Sequence, residues 1–221
     1  MEKIILFDLD GTLTDPKEGI TKAVQHALNA YGIEENDLDS LCPFIGPPLV
    51  DSFVEFYGFT VKDAREAIPV FHEYFTKQGM FENKVYLGME TMLGNLNDAG
   101  FTLAVATSKP EIFAVQILEH FGLLSFFKLV GGADMEETRV KKGDVIEYTL
   151  KRLNADPAVT PVLMVGDRKH DVIGAAENGI DCVGVLYGYG SSEELTGAGA
   201  KYLAESVEEL ETFLLSRVWE A

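Results

Sequence analysis

The sequence has little that could cross-link it or lodge it in a membrane. Its 221 residues include two cysteines, Cys42 and Cys182, far apart and in no CxxC pair. That excludes a disulfide framework or a structural zinc site as the organising device, and a reducing cytoplasm is the expected setting. No apolar run approaches the ~20 residues that a bilayer-spanning helix needs. The opening MEKIILFD offers one Lys, a short apolar run and then acid, with no small-residue cleavage site, so it does not read as a signal peptide. Positive charge is scarce: 18 Lys and Arg stand against 36 Asp and Glu, a formal net charge of −18. Such a surface repels phosphate backbones, which excludes nucleic acid as an expected partner. It repels small anions too, so a site for an anionic substrate needs local cations or a metal.

What the chain does have is apolar mass and a rhythm. Hydrophobic residues make up 47%, with 14 Phe among them, enough for a substantial core. Short apolar runs at 3–7, 101–106, 128–130, 162–165 and 182–186 alternate with amphipathic stretches. Near-continuous aliphatic composition suits strands buried on both faces of a parallel sheet. The stretches 90–99, 110–121, 144–153 and 171–178 read as helices, and most are followed by Gly or opened by Pro. The alternation predicts an α/β fold with a doubly wound, Rossmann-like parallel sheet. Residues 17–84 break the pattern, with helices expected at 17–31, 47–57 and 61–78, the last kinked at Pro69, and no convincing strand. The expected organisation is a core of residues 1–15 and 85–221 with an inserted all-helical cap domain, residues 16–84. The cap's Phe44, Phe53, Phe56, Phe71 and Phe75 are expected to form its own small core, and Trp219 to anchor the last helix.

Chemistry is concentrated where strands end. IILFDLDGTL, residues 4–13, runs an interior strand into Asp8 and Asp10. Side chains two apart on an extended segment point the same way, so these carboxylates converge while Leu9 faces away. Two like charges so placed require a cation or one shared proton. Gly11 permits a tight turn. Val162–Val165 runs into Gly166-Asp167-Arg168-Lys169-His170-Asp171, with Asp171 in the first turn of the next helix. Read beside Asp8 and Asp10, Asp167 and Asp171 complete an oxygen-rich cluster that suits magnesium better than zinc. Phe101–Ala106 runs into Thr107-Ser108-Lys109-Pro110, which reads either as a simple helix N-cap or as an anion-binding turn. Arg139-Val140-Lys141-Lys142 reads by itself as a solvated basic stretch. His26, His72 and His120 fall in helix patterns and are not expected to be ligands; His170 is expected to be exposed.

These four segments, FDLDGTL, LAVATSKP, RVKKGDVI and VGDRKHD, occur in the order found in the haloacid dehalogenase-type phosphatases, and the sequence resembles that family along nearly its whole length. The resemblance implies that Asp8 is the nucleophile, attacking phosphorus to form an aspartyl-phosphate. It implies that Asp10 protonates the leaving oxygen and then activates water. Magnesium would sit on the Asp8 carboxylate, the Asp10 backbone carbonyl and Asp167, with Asp171 acting mainly from outside the direct ligands. Thr107, with backbone N–H groups near Ser108 and Gly11, would hold phosphoryl oxygens, and a lysine would offset their charge. Lys142 is preferred over Lys141 because it directly precedes the helix start, and Lys109 is a further cation at the site edge. The cap loop FIGPPL, residues 44–49, with Gly46 at its turn, is a candidate for substrate contact.

The departures from the family pattern sit at the expected hinges: Pro16 where relatives often have Ser, and Leu87 where many have Pro. The implied activity is magnesium-dependent hydrolysis of a small phosphorylated metabolite, by a monomer or weak homodimer without nucleic-acid or membrane partners. The general pattern resembles phosphoglycolate phosphatases, while GADMEETRVKKGDVI and GVLYGYGSSEEL resemble a bacterial group of 5′-nucleotidases, which is favoured. The alternatives are a phosphosugar mutase of the same superfamily and a non-catalytic phospho-ligand-binding regulatory domain.

Overall fold

The apolar runs become one six-stranded parallel sheet. A computed structural model describes residues 2–135 and 138–216; Trp219 lies outside the described residues. The strands are β1 (Ile4–Phe7), β4 (Thr102–Pro110), β5 (Leu129–Ala133), β6 (Val162–Gly166), β7 (Asp181–Val185) and β8 (Tyr202–Ala204), in the spatial order β5-β4-β1-β6-β7-β8. The short β8 was not anticipated: three residues in KYLAES carry too little period-2 signal to stand out. Two further strands, β2 (Thr14–Asp15) and β3 (Lys84–Val85), pair with each other where the chain leaves and re-enters the core. Lys84 therefore opens a strand in a segment expected to have none.

Alternation along the strands feeds two separate layers of core. Ile4, Leu6, Ala104, Ala106, Val162, Met164 and Cys182 form one buried cluster with Val145, Ile146 and Leu150 of α6 (Lys142–Leu153) and Val172 and Ala175 of α7 (Lys169–Glu177). The intervening residues Ile5, Phe7, Leu103, Val105, Leu163 and Val165 are equally buried. Phe7 meets Phe127 edge-on at 6.2 Å. Both sheet faces are thus covered, as the near-continuous apolar runs require. From β1 the chain winds outward through β4 and β5 on one side and through β6, β7 and β8 on the other. In sheets of this kind ligands bind where the winding reverses, at the carboxyl ends of the central strands, which here are the ends of β1 and its neighbours.

The chain divides into two compact units, residues 1–14 with 85–221, and residues 15–84. The second unit is helical: α1 (Lys17–Ala30), α2 (Leu49–Tyr57) and α3 (Val61–Phe75), with a 3₁₀ segment at Leu38–Phe44. α1 buries Ile20, Ala23, Val24, Ala27 and Leu28, and α3 buries Ala64, Ala67, Phe71 and Phe75. Phe44 packs on Phe53 at 5.0 Å and Phe53 stacks on Phe59 at 5.3 Å, so this unit has an aromatic core of its own. Phe56, by contrast, is exposed. Pro69 lies within α3, which stays a single helix, and α3 ends at Phe75 rather than at 78. No helix among the described residues is long and apolar enough to cross a membrane.

Asn154, which follows α6, is the one non-glycine at positive φ among the described residues (φ 55°), and it ends the helix with a left-handed cap. Only Gly and, less readily, Asn adopt that conformation cheaply. Asn154→Val is expected to cost about 1–2 kcal/mol, whereas Asn154→Gly should leave stability unchanged or slightly raised. The midpoints of urea unfolding curves check both.

Candidate active site

Two strands end side by side on carboxylates, β1 on Asp8 and β6 on Asp167, and β4, on the other side of β1, carries Thr107 near the same level. Asp8 follows β1 directly, and its N–H still donates to the Val165 carbonyl at 2.9 Å, which keeps it in line with the strand. Phe7 is in register with Val105 of β4 and Val165 of β6, so Thr107 and Asp167 lie one residue beyond the level of Asp8 on either side. The chain then turns sharply. The Leu9 carbonyl accepts from the N–H groups of Thr12, Leu13 and Thr14 at 3.3, 2.9 and 3.1 Å. Gly11 takes φ 80°, and a Cβ there would lie 2.2 Å from Asp167 Oδ2. Glycine is required at this position both for the turn and for the approach of Asp167.

Lys142 is the cation that the fold brings to these acids. Its ammonium lies 2.8 Å from Asp8 Oδ1 and 2.8 Å from Asp171 Oδ1, and donates to the Ala106 carbonyl at 3.1 Å. α6 begins at Lys142, two residues earlier than expected, and this buries Lys142 while Lys141 stays exposed at the cap position. The approach depends on a glycine that the sequence did not flag. A Cβ on Gly174 of α7 would sit 2.9 Å from Lys142 Cγ and 2.8 Å from the Gly143 nitrogen. Burial works against the Lys142 charge, but Asp171 and Asp8 outweigh it and hold the ammonium above the ordinary lysine range.

Asp8, Asp167 and Asp171 each offer a carboxylate oxygen, all within 4.8 Å of one another and all buried. Asp171 was expected outside the direct ligands; its carboxylate joins this trio, with Oδ2 accepting the Arg168 N–H at 3.0 Å. Asp167 Oδ2 accepts the Tyr189 N–H at 2.8 Å, whereas its Oδ1 is buried with no hydrogen-bond partner. Such an orphaned acceptor costs about 1–3 kcal/mol. If all three are ionised, as a bound cation would favour, these carboxylates against the ammonium of Lys142 leave two negative charges, the complement of a divalent cation. The all-oxygen donor set suits a hard ion such as magnesium. Burial pushes the Asp167 carboxyl well above the usual carboxylate range. Burial also pushes Asp171 up to about 6 against the pull of Lys142. A cation among them would reverse both shifts.

The Asp10 carboxylate stands outside the trio. Burial raises its pKa, and Lys109, whose ammonium is 2.7 Å from Asp10 Oδ2, opposes that rise. Lys109 was expected to bind substrate, and here its side chain engages Asp10. Thr107 is buried, with its hydroxyl accepting the Lys109 N–H at 3.3 Å, and Ser108 is half-buried beside it. Gly46 belongs to the helical unit. His170 is half-buried rather than exposed, with no hydrogen-bond partner for its buried Nδ1. Sequence reasoning missed the Tyr189 N–H and the Ala106 carbonyl, because backbone groups carry no residue signature. The glycines flanking Tyr189, in the loop that follows β7, are the hint that the sequence offers.

Known proteins match the chain over most of its length. The family model described as haloacid dehalogenase-like hydrolase matches residues 5–185. A Pseudomonas aeruginosa protein named 5′-nucleotidase is 48% identical over 191 residues, 86% of each chain. The tyrosine-protein kinase PtkA of Mycobacterium tuberculosis is 39% identical over 86% of this chain, which spans 64% of that protein. A phosphoglycolate phosphatase of Colwellia psychrerythraea is 28% identical over 95% of each. Among solved structures, a predicted phosphatase from Clostridium acetobutylicum superposes with a TM-score of 0.94 at 49% identity, covering 98% of this chain and 99% of its own. With the strand-end carboxylates, the buried lysine and these likenesses together, the chain belongs to the haloacid dehalogenase-like hydrolase family, as one of its phosphatases.

Proposed function

We propose that the protein hydrolyses phosphomonoesters of small metabolites through an aspartyl-phosphate on Asp8, with magnesium as cofactor and a 5′-nucleotide as the favoured substrate. The observation that carries this reading is the buried trio Asp8, Asp167 and Asp171 crossed by Lys142. Asp8 Oδ1 is held by two donors, the Leu9 N–H at 2.7 Å and the Lys142 ammonium at 2.8 Å. The carboxylate is thereby oriented with its other oxygen available to attack phosphorus in line. As the new Asp8 oxygen–phosphorus bond forms, the ester oxygen–phosphorus bond breaks, and Asp10 gives the departing oxygen its proton. Asp10 then takes a proton from a water that attacks the same phosphorus, which frees phosphate and restores Asp8. Thr107 and the N–H groups beyond it bind phosphoryl oxygens, and Lys142 offsets the charge that builds there.

Magnesium would be held by Asp8 and Asp167, with Asp171 beside them, and when bound it supplies charge neutralisation for a dianionic phosphoryl group next to carboxylates. The helical unit is assigned the role of a cap that selects the ester, with Gly46 in its contacting loop. The nucleotide preference rests on the relative named 5′-nucleotidase at 48% identity; the more distant phosphoglycolate phosphatase supports phosphoglycolate as the second candidate.

In a panel of adenosine 5′-monophosphate, phosphoglycolate, sugar phosphates and p-nitrophenyl phosphate, the nucleotide should give the highest kcat/KM. EDTA should abolish turnover, and Asp8→Asn should lower it by about 10³-fold or more while circular dichroism stays unchanged. Full activity in Asp8→Asn would remove the nucleophile assignment. The metal can be read without turnover. Magnesium at 100 times its dissociation constant should stabilise the wild type by about 2.7 kcal/mol, seen as a raised Tm, and should shift Asp167→Asn much less. A shift equal in both would place the ion elsewhere. The two adjacent lysines separate cleanly: Lys142→Ala should cost about 10²-fold or more in kcat, and Lys141→Ala less than about twofold. The reverse order would transfer the role to Lys141.

A further inference from the structure

The buried charges of the site are served by two lysines, and the second arrives by an irregularity in the sheet. β4 pairs with β5 at Thr107–Gly132 and next at Pro110–Ala133, so Ser108 and Lys109 bulge out of the ladder opposite a single step of the partner strand. Bulges of this kind re-aim side chains beside active sites. This one is accommodated by Gly132, where a Cβ would lie 2.8 Å from the Lys109 carbonyl and 2.6 Å from Glu111 Cα. The bulge sends the Lys109 side chain inward, to 7% exposure, with its ammonium 2.7 Å from Asp10 Oδ2. Asp10 Oδ1 is buried and has no hydrogen-bond partner. Lys142 contacts Asp8 and Asp171, and it is Lys109 that forms the ion pair with Asp10.

We propose that Lys109 is a positioning residue for Asp10: it clamps Oδ2 so that Oδ1 is the oxygen that gives and takes the proton. The proposal rests on the assignment of Asp10 as acid and base. A side chain with a carboxylate at its tip rotates freely about its last torsion, and an ion pair to one oxygen removes that freedom. The two lysines then divide the work. Lys142 orients the nucleophile, and Lys109 orients the proton donor. The consequence is specific to the leaving group. Acid assistance matters most for an ester whose departing oxygen is strongly basic, and little for one that leaves readily as an anion. A lysine that instead bound the phosphoryl group would affect both kinds of ester alike.

The experiment compares phenyl phosphate, with a basic leaving oxygen, and p-nitrophenyl phosphate, with a weakly basic one, for the wild type, Lys109→Met and Lys109→Arg. Lys109→Met should lower the ratio of kcat/KM for phenyl to p-nitrophenyl phosphate by about tenfold, with inhibition by inorganic phosphate unchanged. Lys109→Arg, which keeps a cation in reach of Oδ2, should recover most of that ratio. An unchanged ratio in Lys109→Met overturns the proposal, whether both substrates slow equally or neither does. So does a weakened phosphate inhibition with the ratio preserved, which would make Lys109 a phosphoryl ligand. Failure of the phosphatase reading itself shows separately, as absence of p-nitrophenyl phosphate turnover by the wild type.

Discussion

The structure depends on keeping three carboxylates dry beside one ammonium. Each ion removed from water costs several kcal/mol even after relaxation, and Lys142 can offset only part of it for Asp8, Asp167 and Asp171. A fold selected for stability alone would fill this space with apolar side chains, as it does a turn away around Leu6 and Met164. The remaining imbalance is of the sign that a divalent cation would offset. Oxygens that are poorly satisfied without an ion, such as Asp167 Oδ1, are those that an ion satisfies.

The parallel sheet makes this concentration of charge possible. Strands running the same way deliver their carboxyl ends to the same edge, and the winding reverses around β1, the place where such sheets bind ligands. Register does the rest. With Phe7 level with Val105 and Val165, Asp8, Thr107 and Asp167 come side by side although they are about 60 to 160 positions apart in the chain. The helices that follow add groups in their first turns: Lys142 from α6 and Asp171 from α7. Close approach of those two helix starts requires a missing side chain at Gly174, so the charge geometry is set by packing in the layer beneath it.

Much of this was legible in the sequence, because parallel-sheet chemistry sits at strand ends and strand ends are visible as apolar runs that stop at polar groups. Asp8, Asp167 and Thr107 could be placed by that rule alone. What could not be read depended on contacts between distant segments. The length of α6 is an example: the amphipathic pattern predicts a start at Asp144, but tertiary packing extends the helix to Lys142 and so decides which lysine is buried. The role of Tyr189 as an N–H donor to Asp167 is backbone chemistry and has no side-chain signature. His170 was misjudged as exposed because proximity to a polar motif says nothing about what packs above it.

Lys109 shows the same limit in its sharpest form. In the sequence it is one more cation near the site, next to a proline that opens α5 (Glu111–His120). Its direction is set by a bulge, and the bulge is tolerated because the facing residue of β5 is Gly132. Three separate facts must coincide before that lysine meets Asp10: the extra residues in β4, the absent side chain in β5 and the turn at Gly11 that follows Asp10. A chain carrying a net charge of −18 cannot attract a phosphate ester by its overall field. It needs positive groups at a few chosen points, and pairing two buried lysines with acids is how this fold holds them in place. The ion pairs that hold Lys142 and Lys109 therefore serve orientation more than stability, since a buried pair gains little over apolar packing but fixes direction strongly.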